Sequence, residues 1–191
     1  ENTTVKGRAK PEYDPLGIRL RSFQIFPTAE LDETYNTNVF AKSEAPKDDF
    51  ITVVTPALSV KSDWSQHALN FGGKAAMGRY ATNSTEDYED FGANIDGRVD
   101  VLRALKVEAG ATVDVGHEMR GEESEAGGKK PGETLKYTVN GGVSYKVAKV
   151  GLDLKSTITH SDFNDVDAND GTIINNDDRD TVDYLSTLKV S

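Results

Sequence analysis

From Phe91 to Val101 apolar and polar side chains alternate without a break. Phe91, Ala93, Ile95, Gly97, Val99 and Val101 fall on one side, and Asp90, Gly92, Asn94, Asp96, Arg98 and Asp100 on the other. A period of two puts successive residues on opposite faces of a strand, so the segment 88–101 reads as a strand with one apolar and one polar face. The pattern recurs over 105–116, 135–147, 150–159 and 181–190, and less cleanly over 25–35, 58–64 and 69–77. About eight strands are expected. Several reach roughly 10–14 residues, longer than the five or six usual in soluble sheets and long enough for a tilted bilayer crossing, which needs about 9–11.

The connections sharpen this expectation. Short turns fall near Ser65-Gln66, Leu102-Arg103-Ala104 and Ala148-Lys149, and long polar loops over Lys42–Asp49, Ala81–Asp87, Arg120–Thr134 and Ser161–Asp180. Strict alternation of short and long connections puts every long loop at one end, as in outer-membrane barrels with short periplasmic turns and longer external loops. Aromatic residues such as Tyr35, Phe50, Trp64, Tyr80, Tyr88, Phe91, Tyr145 and Tyr184 lie toward strand ends, where barrels carry their girdles. The fold class expected is all-β, an antiparallel transmembrane β-barrel with about eight strands in this chain. It is read as part of a larger barrel incomplete at the C-terminus, with a closed eight-stranded barrel and a soluble β-sandwich as alternatives.

Composition supplies the exclusions. No apolar run approaches the length of about 18 that a membrane helix needs. The mean hydropathy of −0.55 does not separate a soluble protein from a barrel, whose inner face is polar. A formal net charge of −10 argues against nucleic acid, which calls for a surplus of Lys and Arg. The chain has no cysteine, so thiolate chemistry, disulfides and Cys-based zinc sites are out. The start at Glu1 reads as a mature or trimmed N-terminus. Residues 1–22, broken by Pro11 and Pro15, read as an extended periplasmic arm, and 23–191 as the barrel domain.

If the apolar faces meet lipid, the lipid-facing set includes Phe91, Ile95, Val99, Val107, Val113, Val139, Val143, Leu152 and Leu154. The lumen-lining candidates are then Asp90, Asn94, Asp96, Arg98, Asp100, Lys106, Glu108, Asp114, Lys136, Asn140, Lys146, Asp153 and Lys155. Charges of this density need water or partners. Pairing across strands is expected of Asp96, Arg98 and Asp100 with Lys106 and Glu108. They either solubilise the wall or select what passes.

No catalytic constellation is expected. His67, His117 and His160 have no ligand spacing around them, and no nucleophile elbow surrounds any serine. The glycines Gly127-Gly128 lie in a polar stretch with no strand-to-helix context, so phosphate binding is unsupported. Asp165, Asp167 and Asn169 begin like a calcium loop, but the glycine is displaced to Gly171 and Asn176 stands where the closing carboxylate belongs. The segment reads as a solvated external loop, with a loose divalent-ion or lipopolysaccharide-bridging role as the alternative. No metal and no cofactor are expected.

The runs PEYDPLGIRLRSFQIFPTAELDETYNTNVFA (11–41), DFITVVTPALSVKSDWSQHALNF (49–71) and GRYATNSTEDYEDFGANIDGRVDV (78–101) resemble the family called putative beta-barrel porin 2. The similarity covers most of the first hundred residues and then fades to barrel pattern. The resemblance implies an outer-membrane barrel of Gram-negative bacteria, often associated with exopolysaccharide export, with no catalytic residues to carry over. Family members are usually longer. This chain stops in mid-strand at Lys189-Val190-Ser191 without a terminal aromatic, which reads as an N-terminal portion. The expected function is a porin-like channel or polysaccharide-export-associated pore. Its expected partners are outer-membrane lipid and lipopolysaccharide, a polysaccharide, or periplasmic export proteins. The alternative is a structural or surface-interaction protein with a filled barrel displaying acidic loops.

Overall fold

The computed structural model describes residues 15–122 and 125–191, and within them every alternating segment is a strand. Eight long strands run up and down: β2 (Phe23–Asn36), β3 (Asp49–Ser62), β4 (Ala68–Tyr80), β5 (Tyr88–Asp100), β6 (Leu105–His117), β7 (Glu133–Val147), β8 (Val150–Phe163) and β11 (Thr181–Val190). A short β1 (Ile18–Leu20) pairs back onto β2. Together they form one nine-stranded antiparallel sheet in chain order, with β11 beside β8. A separate two-stranded ribbon, β9 (Val166–Asp167) with β10 (Ile173–Ile174), lies in the last long loop.

Three expectations are corrected. The sheet is open: β1 is one edge and β11 the other, so the closed eight-stranded barrel is not what the strands form. The two packed sheets of a soluble sandwich are not formed either, because among the described residues the second sheet is only a two-stranded ribbon. The segment read as an extended arm ends in the β1–β2 hairpin, since Ile18, Arg19 and Leu20 pair with Ile25, Gln24 and Phe23. Residues 1–14 of that arm, and with them Pro11, lie outside the described residues.

The register converts period two into two continuous faces. Ile25, Val60, Phe71, Ile95, Ala111, Val139, Ile158 and Tyr184 are successive partners in one row across the sheet. One residue along, Ser59, Gly72, Asn94, Thr112, Thr138, Thr159 and Asp183 form a polar row. A slip of one residue would exchange the faces, and none occurs through the eight long strands.

Burial is distributed in an unusual way. The buried hydrophobic residues are Val39, Ile51 and Val166, all toward the long-loop end, while Val99 is 52 % exposed, Val139 56 % and Leu188 63 %. Soluble monomers rarely expose apolar patches beyond a few hundred Å². Here a whole sheet face is bare.

Candidate functional site: the polar face and its loop cap

Every residue expected to line a lumen falls on one face. Asp90, Asn94, Asp96, Arg98 and Asp100 of β5 share it with Lys106, Glu108 and Asp114 of β6, Lys136, Asn140 and Lys146 of β7, and Asp153 and Lys155 of β8. Phe91, Ile95, Val99, Val107, Val113, Val139, Val143, Leu152 and Leu154 share the other.

The expected charge pairing across strands is corrected. Arg98 and Glu108 are register partners, as are Asp100 and Lys106. Yet the ion pair that forms runs along a single strand, with Arg98 Nε 3.2 Å from Asp100 Oδ1. Asp100 is already engaged: the His67 backbone N–H donates to its Oδ2 at 2.8 Å, and its own N–H donates to His67 Nδ1 at 3.1 Å. These bonds pin the β3–β4 turn, where His67 has φ +64°, to the end of β5. Elsewhere on the wall neutral donors serve the carboxylates, Asn70 to Asp96 at 2.7 Å and Ser144 to Asp153 at 2.6 Å.

The two faces differ in how they treat glycine. On the polar face a Cβ at Gly72 would collide with the Asn94 carboxamide, and one at Gly78 with the Tyr88 ring. A Cβ at Gly92 would lie 2.6 Å from Asp114 Oδ1, and one at Gly110 3.1 Å from the Asn140 carboxamide. In each case the larger residue is the glycine's direct register partner. On the apolar face, Gly73, Gly97 and Gly141 would meet nothing nearer than 3.7 Å. Polar side chains therefore lie down across neighbouring glycines, and apolar ones stand free.

The long loops, of which the last is expected to be solvated, are mutually bonded. Asp49, 4 % exposed, accepts from the backbone N–H of Phe50 at 2.9 Å, of Thr82 at 3.1 Å and of Asn83 at 2.8 Å, and from Asn83 Nδ2 at 2.8 Å. Arg120 is the hub. Its Nε and Nη2 donate to the two oxygens of Glu86 at 2.7 and 2.9 Å, and its Nη1 to Glu125 at 2.6 Å and to the Gly128 carbonyl at 2.8 Å. The Glu86 hydrogen bonds raise the Arg120 pKa above its ordinary value, against the opposing effect of burial. Arg179 pairs with Glu118, whose hydrogen bond likewise raises the Arg179 pKa, and its guanidinium lies 4.1 Å from the centroid of the Phe163 ring. The Lys129 N–H donates to the Asp167 carbonyl at 2.8 Å, joining the third long loop to the fourth.

This cap leans over the polar face. Tyr80, the register partner of Ile51 on that face, is within electrostatic reach of Asp49, Glu86 and Arg120. Beside it, His117 stacks on Tyr88 with centroids 3.9 Å apart and bonds Asp90 through Nδ1 at 2.8 Å. His160 stacks on Tyr137 at 5.7 Å. All three histidines thus make structural contacts, a role the sequence did not disclose.

The calcium-like segment closes on itself. The Asn176 N–H donates to Asp165 Oδ1 at 2.9 Å and its Nδ2 to the Asn164 carbonyl at 2.8 Å, so the residue out of place in a calcium loop is the one that latches this loop. Asp167 lies in β9, and Asn169 lines a cavity with Phe40, Lys42, Arg120 and Glu125. Among the described residues no three His, Asp or Glu side chains converge as metal ligands would.

The model of the family described as Putative beta-barrel porin 2 matches residues 10–191. The chain belongs to that family. The match extends the porin-2 assignment well past the first hundred residues, where the sequence resemblance fades, and through the last strand. No curated protein and no solved structure gives a match. The hub Arg120, its partner Glu86, the Arg179–Glu118 pair and Asp49 were all missed by sequence reasoning. Their only signal is charge inside loops already dense with it.

Proposed function

We propose that this porin-2 chain forms wall of a β-barrel pore in a bacterial outer membrane, porin-like or associated with polysaccharide export. The observation that carries the reading is the inside-out distribution of side chains. An uncovered apolar face spans the sheet, the opposite face is charged and crowded, and all long loops share one end. Water is an unfavourable neighbour for the first face, at about 25 cal/mol per Å². Lipid is an unfavourable neighbour for the second. A barrel wall between lipid and a hydrated lumen satisfies both. Phe91, Ile95, Val99, Val113 and their row partners then meet lipid, and Asp96, Arg98, Asp114, Lys136 and their neighbours meet the lumen. The chain's role on this reading is passage rather than catalysis, with lipopolysaccharide around the loop end.

The test is single-channel conductance of the folded, inserted protein in a planar bilayer. Stable ohmic steps support an open lumen. Silence from protein shown to be inserted rejects it and promotes a second reading, a filled barrel that displays acidic loops to a partner. The bonded cap favours that second reading, and so does the loop 164–180, where Arg179 is the sole cation among six aspartates.

A further inference from the structure

We infer that Gly72, Gly92 and Gly110 set the bore of the lumen, by giving Asn94, Asp114 and Asn140 a place to lie against the wall. The inference rests on the pore reading and names the residues that control passage.

The three positions occupy successive strand pairs, β4–β5, β5–β6 and β6–β7, so they cover a continuous stretch of wall. At each, the side chain of the later strand reaches back over the glycine of the earlier one. Asn94 Oδ1 lies over Gly72, Asp114 Oδ1 is 2.6 Å from where a Gly92 Cβ would be, and both terminal atoms of Asn140 are 3.1 Å from where a Gly110 Cβ would be. Among the described residues no side-chain hydrogen bond fixes Asn94 or Asn140 in this pose, and the empty space above the glycine is what admits it. At Gly72 and Gly92 a methyl group evicts the partner, and at Gly110 it pushes the Asn140 carboxamide away by a few tenths of an ångström. Below it is backbone, and on its far side stands the next strand's own residue, Thr112, Lys136 or Thr157. The open direction is away from the sheet, into the lumen. Glycine inside a strand forgoes packing and costs stability, and it marks a close approach by another group. The approaching group here is the wall's own lining.

The apolar-face glycines Gly73 of β4, Gly97 of β5 and Gly141 of β7 are controls in the same sheet, with room for a methyl group. The experiment compares single-channel conductance and exclusion of sized polyethylene glycols for Gly72→Ala, Gly92→Ala and Gly110→Ala against Gly73→Ala, Gly97→Ala and Gly141→Ala. The polar-face set is expected to lower conductance and the size limit, additively when combined, and the control set to leave both unchanged. The double variant Gly72→Ala/Asn94→Gly, which removes the evicted side chain, is expected to restore the wild-type values. Restoration also separates a narrowed bore from a damaged fold. Equal effects in the two sets overturn the inference, as does a double variant that stays narrow or fails to insert. A wild-type protein that inserts and does not conduct fails the pore reading itself.

Discussion

In the cap Glu86 is 1 % exposed and Glu118 6 %, whereas large apolar residues at mid-wall such as Ile95 and Leu154 are 43 % and 45 % exposed. Loops normally run over the surface and strands supply the core. Here the loops hold the buried, fully bonded polar groups and the strands are bare on one side. The difference shows what each region is built against. The wall relies on ladder hydrogen bonds for its backbone and leaves its apolar face to the surroundings. The cap has no ladder, so it substitutes charged hydrogen bonds, which are stronger than neutral ones.

The largest effect should come from the hub. Arg120→Ala leaves Glu86 buried without its partner, a change that typically costs about 3–5 kcal/mol. Limited proteolysis should then cut the loops 81–87 and 118–132 while the strands stay protected. Loops that resist cleavage as before would mean the cap is not held by Arg120. Because hydrogen bonding raises the Arg120 pKa, its contribution is complete below the ordinary arginine value and is lost only as pH rises through the raised one. Wild-type loops should therefore remain protected in alkali up to about pH 11, below the ordinary arginine pKa.

On the wall the sensitive substitutions are on the opposite face. Val113→Arg should cost about 2–4 kcal/mol in refolding titrations in bilayers if its site is near the midplane, and Val99→Arg the same or less with depth. Unchanged stability would mean this face does not meet lipid. Asp49→Ala removes an acceptor shared by the first two long loops and leaves several part-buried N–H groups without it, at about 1–3 kcal/mol. Hydrogen exchange at Thr82 and Asn83 should report it. The smallest change should be at Asn70→Ala, within about 0.5 kcal/mol, since its bond to Asp96 is exposed. A loss as large as that at Asp49 would erase the contrast between cap and wall.

How far the sequence could be read follows from the same contrast. Strand positions, the turns at 102–104 and 148–149, and both faces from β5 to β8 are written in a period of two, and each strand meets its chain neighbour. The cap has no period. Glu86 and Arg120 are 34 residues apart, and Glu118 and Arg179 are 61, so nothing local links them. The β1–β2 hairpin was hidden by the prolines before it and by its brevity, and β9–β10 by the aspartates around it. Alternation also specifies which face a residue takes without specifying whether the first and last strands meet, so it does not by itself separate a closed eight-stranded barrel from an unclosed part of a larger one.

The lean of the wall's side chains has a consequence for assembly. In every pair the glycine belongs to the earlier strand and the covering residue to the later one: Gly72 and Asn94, Gly92 and Asp114, Gly110 and Asn140. A strand added in chain order brings its side chain to a seat that is already vacant. Added in reverse, it would have to slide its glycine beneath a residue already in place. A sheet that grew from the amino-terminal strands toward β8 would find the seat vacant at each of these three pairs, because the small partner is always on the earlier strand.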